Sequence, residues 1–384
     1  MFVEREITAT LLKHRQWFPV IYLGGPRQSG KTTLLKKLLP GTPYTSLETP
    51  EDRLLAEEDP RKFLNRFPQG GILDEAQRVP HLFNYLQGIV DDDKSKQFFI
   101  SGSQNYLLME SVTQSLAGRV GILNLYPFSC RERNKLETQD LETFVFKGGY
   151  PALYDRQTPP AIFFNNYIQT YLERDVRLLK NLGDLSLFAR FMKLCAGRVG
   201  QPLNLSTLAA DLGIAVNSVK SWLSVLEASY MIFFLQPYFS NFNKRIIKAP
   251  KMYFFDTGLL SFLLGIANAK ELDGHYYFGN MVENAIIAEL YKKRTNQGQR
   301  PRFWYFRDQS GNEVDLLIEE EGRLKAVEIK SGQTYNSRFS SGLKYWRQLT
   351  NANTKDLFLV YAGEMEGVLE SGQLLPWRWA MDEI

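Results

Sequence analysis

Cysteine and histidine are scarce in this 384-residue chain, which has two cysteines (Cys130 and Cys195) and three histidines. Two cysteines cannot build a disulfide framework, and so few soft ligands argue against a structural zinc site. The expected compartment is therefore reducing, the cytoplasm. Long apolar runs are also missing. Stretches such as YMIFFL at 230–235 fall far short of the roughly 20 residues of a membrane-spanning helix. The N-terminal MFVEREITATLLKHR mixes charges into its apolar residues and does not read as a signal peptide. No membrane partner is expected. Excess charge is slight, with 46 basic against 42 acidic side chains, so any nucleic-acid surface must come from local clustering. What is abundant is core material: 26 Phe, 19 Tyr and 6 Trp in a chain that is 44% hydrophobic. That composition excludes general disorder and suits two or three domains of about 150 residues.

Residues 18–126 alternate short apolar runs with helical patterns. The runs lie at 20–23, 71–73, 98–100 and 122–125, each bounded by glycine, proline or charge. This is the pattern of an α/β domain with a parallel sheet and crossover helices. Between the first run and an amphipathic segment stands Gly25-Pro26-Arg27-Gln28-Ser29-Gly30-Lys31-Thr32-Thr33. Glycines let backbone N–H groups turn inward around phosphate oxygens, and a helix N-terminus adds partial positive charge. In such a loop Lys31 reaches the β- and γ-phosphates and the Thr32 hydroxyl ligates Mg²⁺.

A nucleotide site also needs acids. The run at 71–73 ends in Asp74 and Glu75, Asp74 to hold Mg²⁺ and Glu75 to polarise the attacking water. The next run ends in Ser101, Ser103, Gln104 and Asn105, of which Ser103 is a candidate for contact with the γ-phosphate or the water. Arg119, just before the run at 122–125, is a candidate arginine finger, in cis or toward a neighbouring subunit of a homo-oligomer.

From about Gly148 the pattern turns helical, and residues 203–238 carry a helix-turn-helix pattern. Ser206 is the expected cap of a helix ending at Leu212, and Gly213 its stop. Residues 214–216 then form the turn, and Asn217 or Ser218 caps a second helix. Val219, Trp222, Leu223 and Leu226 form the buried face of that helix, and residues 230–234 the following wing strand. The outward face offers Ser218, Lys220, Ser221 and Ser224, too few cations for strong sequence readout of DNA. Winged helices also serve as lids or interaction modules, and both uses stay open.

Toward the C-terminus, GNEVDLLIEEEGRLKAVEIKSG reads as a hairpin turning at Glu321-Gly322. Asp315 then lies opposite Glu328, and Glu313 opposite Lys330, with all four side chains on one face. Two carboxylates about 5 Å apart repel, and a divalent cation held by Asp315, Glu328 and the Ile329 carbonyl would relieve them. Lys330 would orient or deprotonate a water there. Upstream, Lys292, Lys293, Arg294, Arg300, Arg302 and Arg307 form a basic stretch interleaved with Phe303, Trp304, Tyr305 and Phe306, a hint of nucleic-acid backbone contact.

GGPRQSGKTT, GGILDEAQ, FFISGSQN and SLAGRVGILNLYPFS together resemble the prokaryotic AAA-type ATPases that carry a large uncharacterised C-terminal region. GGYP, TYLERDV, KAPKMYFFDTGLL and the EVDLLIEEEG…AVEIKS hairpin extend the resemblance along the whole chain. It implies ATP binding and ATP hydrolysis with Mg²⁺. The Asp315, Glu328, Lys330 pattern resembles the PD-(D/E)xK nucleases. That resemblance implies a second Mg²⁺ or Mn²⁺ and a third acid from an earlier helix, for which Glu283 is the candidate.

The expected organisation is a P-loop ATPase core at 1–147, a helical lid with winged helix at 148–245, and an α/β nuclease-like domain at 246–384. The expected function is a DNA-associated, ATP-driven enzyme with metal-dependent nuclease activity left open. Two alternatives stand beside it: a nucleotide-gated switch whose C-terminal domain docks a protein partner without cutting, and a DNA-binding regulator.

Overall fold

The apolar runs of the first hundred residues become strands because they are too short for helices and rich in β-branched and aromatic side chains. The computed structural model describes residues 2–103, 115–176, 184–239 and 247–384. Gln104 and Asn105 lie outside them. The chain divides into two compact units: Met1–Lys135 with Leu226–Met231 and Arg294–Gln299, and Leu136–Val225 with Ile232–Lys293 and Arg300–Ile384.

The first unit holds a five-stranded sheet in the order β2-β3-β4-β1-β5, every pairing parallel. The strands are β1 (Val20–Gly24), β2 (Tyr44–Ser46), β3 (Gly70–Asp74), β4 (Gln97–Gly102) and β5 (Val120–Asn124). Both faces are covered, which is what continuous apolar strands require. Val20 and Tyr22 pack with Phe83, Leu86 and Ile100 on one face, while Ile21 and Leu23 pack with Leu11, Leu34 and Leu35 on the other. The alternation along β1 therefore serves two cores. Because β4 is inserted between β1 and β3, the polar end of β4 lies between the loop after β1 and the acids that end β3.

In the second unit an eight-stranded mixed sheet runs β12-β13-β11-β10-β9-β8-β6-β7. Its strands are β6 (Ile232–Pro237), β7 (Lys251–Phe254), β8 (Phe303–Arg307), β9 (Glu313–Glu320), β10 (Arg323–Lys330), β11 (Leu357–Tyr361), β12 (Gly367–Leu369) and β13 (Gly372–Pro376). The β9–β10 hairpin pairs Glu320 with Arg323 and continues to Leu316 with Val327, the register expected from a turn at Glu321-Gly322. Glu321 (φ 49°) and Gly322 (φ 76°) are both left-handed, as a two-residue type I′ turn demands. The acid-bearing face is not open, however. Farther along it, Leu317 and Ala326 pack with Leu343 and Trp346 of helix Ser341–Thr350.

Three helices precede β6: Leu185–Ala196, Leu205–Leu212 and Val216–Ala228. The cap of the second is Asn204, whose side chain accepts from Thr207 N at 3.1 Å, in place of Ser206. Gly213 ends that helix in the left-handed region. The third helix begins at Val216, before the expected caps Asn217 and Ser218. Val219, Trp222, Leu223 and Leu226 are buried as expected, and Phe188 and Phe191 pack on the Trp222 ring. The strand that follows is more than a wing. β6 pairs antiparallel with β7 but also parallel with β8, through Gln236–Trp304 and Pro237–Tyr305. The expected segments 148–245 and 246–384 therefore contribute to the same sheet.

Among the described residues no helix is long and apolar enough to cross a membrane.

Candidate functional site

The phosphate-type loop leaves β1 at Gly24 and enters helix Lys31–Leu38. Two glycines make the turn feasible. Gly25 has φ 144°, and a Cβ there would lie 2.1 Å from the Leu125 carbonyl oxygen. Gly30, the residue before the helix, has φ 97°. Gln28 between them is also left-handed at φ 59°. Left-handed residues spaced along a tight loop help turn backbone N–H groups inward, as an anion cradle requires. Ser29 is buried in this loop, Thr33 is exposed on the helix, and Arg27 is half-buried. Lys31 folds back over the loop. Its ammonium donates to the carbonyls of Gly25 (2.9 Å) and Pro26 (2.8 Å).

Thr32 and Asp74 meet directly: the Thr32 hydroxyl donates to Asp74 Oδ2 at 2.8 Å. Asp74 also accepts from the Tyr44 hydroxyl at 2.9 Å on Oδ2, and from Ser101 on Oδ1. Burial, then the charge of Asp74, holds the Tyr44 hydroxyl protonated well above the usual tyrosine range. Glu75 sits at φ 53°, and its Oε2 accepts from the Gln77 side-chain amide and from Ser103 Oγ at 3.3 Å. The loop, the helix N-terminus and the adjacent Thr32 and Asp74 oxygens fit a nucleoside triphosphate with Mg²⁺.

Arg119 is not brought to this site. It precedes β5, and since β5 runs parallel to β1 with Val120 beside Val20, it stands at the end of the strand remote from the loop after Gly24. Its guanidinium is committed to Asp91, Nε to Oδ1 at 2.6 Å and Nη2 to Oδ2 at 2.8 Å. A finger acting in cis is therefore excluded by position.

Three participants were not singled out from the sequence. Arg5 donates to the carbonyls of Ser29 and Tyr126 and pairs with Glu132. Tyr44 sits on a three-residue strand too short to register as periodicity. Gln77 falls just after Glu75, and its spacing was its only signal.

The second unit gathers Glu283, Glu313, Asp315, Glu328, Lys330, Arg307 and Lys251 around a cleft of about 430 Å³. Asp315 Oδ2 accepts from the Ile329 N–H at 2.8 Å. The Lys330 ammonium is 2.6 Å from Glu328 Oε1 and 3.5 Å from Asp315 Oδ2. Lys251, on β7, lies between Glu283 Oε1 (3.0 Å) and Glu313. Burial, then repulsion from Asp315, pushes the Glu328 carboxyl up to about 8. Burial also raises Glu283 to about 7, with Lys251 opposing and Asp315 assisting. Among the described residues no group of three or more Asp, Glu, His or Cys is placed to hold a metal ion. The expected second metal on Glu283, Asp315 and Glu328 does not fit. Lysines stand between these carboxylates and already offset the repulsion that the hairpin register creates.

The basic stretch near residue 300 is also largely committed. Lys292 pairs with Glu289, Arg302 with Glu319 and Arg307 with Glu313. Phe303, Tyr305 and Phe306 are buried in the core rather than displayed.

Residues 18–134 match the AAA domain family, 138–270 a domain of unknown function (DUF8612), and 278–379 a second domain of unknown function (DUF4143). Two relatives, each described as an uncharacterized protein, come from Mycobacterium bovis and Mycobacterium tuberculosis. Each is 31% identical over 372 residues, spanning 95% of this chain and 81% of the relative. Among solved structures, a Walker-type ATPase of Pyrococcus abyssi aligns with 68% of this chain and 96% of its own at 13% identity, TM-score 0.47. The replication initiator DnaA, bound to AMPPCP and single-stranded DNA, aligns with 58% and 86% at 14% identity, TM-score 0.29.

Proposed function

This chain belongs to one family with the two mycobacterial proteins and carries an AAA domain over residues 18–134, and on that premise we propose that it is a Mg²⁺-dependent ATP hydrolase working as a nucleotide-gated switch. The observation that carries the proposal is the Thr32–Asp74 hydrogen bond at the head of the loop helix. It sets a hydroxyl and a carboxylate side by side, the two groups that would hold the Mg²⁺ of a bound nucleotide. Bound Mg²⁺ neutralises phosphate charge. Lys31 exchanges the Gly25 and Pro26 carbonyls for phosphate oxygens. Glu75 takes the proton of the attacking water once Gln77 and Ser103 release its carboxylate. Arg27, Gln28, Ser29 and Thr33 complete the nucleotide cradle through the loop backbone and the first helical turn.

ATP turnover tests this. Wild type hydrolyses ATP, Lys31→Ala loses nucleotide affinity, and Glu75→Gln binds ATP without turning it over. Turnover unchanged in Glu75→Gln would sink the assignment.

A second reading concerns nucleic acid. The order helix, Pro202 bridge to Lys251, helix, helix, β6, β7 supports a winged helix, and winged helices bind DNA with the helix that here exposes Lys220, Ser221 and Ser224. The hairpin register supports a nuclease-like sheet, while the committed carboxylates favour docking over cleavage. Fluorescence anisotropy of labelled duplex DNA at low and high salt decides. Salt-sensitive binding weakened by Lys220→Glu supports a DNA partner, and no binding at low salt leaves a protein partner as the docked species.

A further inference from the structure

Four carboxylates of the second unit line one cleft, and they arrive from three elements: Glu283 from helix Phe278–Asn296, Glu313 and Asp315 from β9, and Glu328 from β10. Buried acids that converge in this way need a compensating cation or proton. We propose that the cation is Lys251, a resident ammonium group that occupies the place a divalent metal ion would take and excludes one.

The Lys251 side chain is 2% exposed and reaches Glu283 and Glu313 from the edge strand β7. Its ammonium lies 5.3 Å from the Tyr305 ring centroid, whose face also favours a cation. The Tyr253 hydroxyl donates to the same Glu283 oxygen at 2.6 Å. The other carboxylate oxygen of Glu313 is held by Arg307 at 3.1 Å. Lys330 holds Glu328 Oε1 and approaches Asp315 Oδ2, the same oxygen that accepts from the Ile329 N–H. Glu328 Oε2 is buried in this cleft without a hydrogen-bond partner.

A hard divalent ion needs about six oxygen ligands at roughly 2.0–2.6 Å. To find them here it would have to expel a buried lysine tethered to the strand, whose effective concentration far exceeds that of free ion. The cleft thus keeps the acids of a metal site while its charge is met by the chain itself. The inference deepens the docking reading above and rests on it; metal binding and DNA binding are separate measurements, so either can fail alone.

The test is Mn²⁺ binding to the full chain without nucleotide, read from the loss of the free Mn²⁺ electron paramagnetic resonance signal, in an Asp74→Asn background that silences the ATP site. The parent is expected to bind no Mn²⁺ that depends on Asp315. Lys251→Met is expected to gain one Mn²⁺ site, at least about tenfold tighter than any residual Mn²⁺ binding by the parent, and to lose it again on Asp315→Asn. Should Lys251→Met lose the near-ultraviolet circular dichroism of the folded protein, Lys251→Met/Glu313→Gln replaces it, removing one charge of each sign. Mn²⁺ bound by the parent and released by Asp315→Asn overturns the proposal. So does a folded Lys251 variant that binds none.

Discussion

Arg5 Nη1 donates to the backbone carbonyl of Ser29, inside the phosphate loop, at 2.8 Å. The same guanidinium donates to the Tyr126 carbonyl at 2.6 Å, pairs with Glu132 at 3.0 Å and lies over the Phe128 ring. A planar five-donor fork makes all of these at once; an ammonium group cannot. Arg5→Lys should therefore loosen the loop while keeping the charge. The expected loss is about 1.5–3 kcal/mol, the scale of charged hydrogen bonds, seen as weaker binding of a fluorescent ATP analogue. Unchanged affinity would show that the loop does not depend on this brace.

Glu75 and Lys31 should separate chemistry from binding. Loss of a general base costs about 10²–10⁴ in rate. Glu75→Gln should thus lower kcat on that scale with little change in nucleotide affinity, whereas Lys31→Ala should fail at binding. Steady-state kinetics beside equilibrium titration of the nucleotide analogue distinguishes the two.

Glu328 and Glu283 make the stability of the second unit pH-dependent. Burial first, with repulsion from Asp315, raises Glu328 to about 8, and burial raises Glu283 to about 7. Groups whose folded pKa is raised bind more protons in the native state, so stability falls as pH rises. Lys251 and Lys330 are also raised and stay charged throughout this window, so their contributions are constant in it. The thermal midpoint should drop between about pH 5 and pH 8, by about 2–4 °C for each kcal/mol of linkage. Glu328→Gln should flatten the slope. A variant with the wild-type slope would refute the assignment to Glu328.

Gly342 opens helix Ser341–Thr350, where alanine would normally be the better helix former by about 1 kcal/mol. Here a Cβ would stand 2.1 Å from the Glu313 carbonyl oxygen and 2.5 Å from Glu328 Oε2. Backbone cannot yield as a flexible side chain does, so the clash decides the sign. Gly342→Ala should destabilise by about 1–3 kcal/mol, measured from the urea midpoint at constant slope.

Much of this was legible in residues whose chemistry is local. The loop from Gly25 to Thr33 names itself by spacing, and the hairpin register followed from Glu321-Gly322 because a two-residue turn fixes every pair after it. Long-range facts were not legible. Arg119 looks like a finger for its own loop until the parallel register puts it at the far end of β5. Lys251 sits in an apolar strand pattern, and nothing local says that a lysine there will be buried against acids some thirty and sixty residues on. Tyr44 escaped because a three-residue strand carries no period, and Asn204 took the cap from Ser206 by one extra half-turn of helix.

The strand β6 follows helix Val216–Ala228, pairs with β7 on one edge and enters the β8 ladder on the other. A helical module and a sheet that share a backbone ladder cannot be inherited separately. Shuffling that moved one of them to another chain would leave an unpaired edge in both halves. The two should therefore travel together through evolution, however freely the ATPase at their N-terminal side is exchanged.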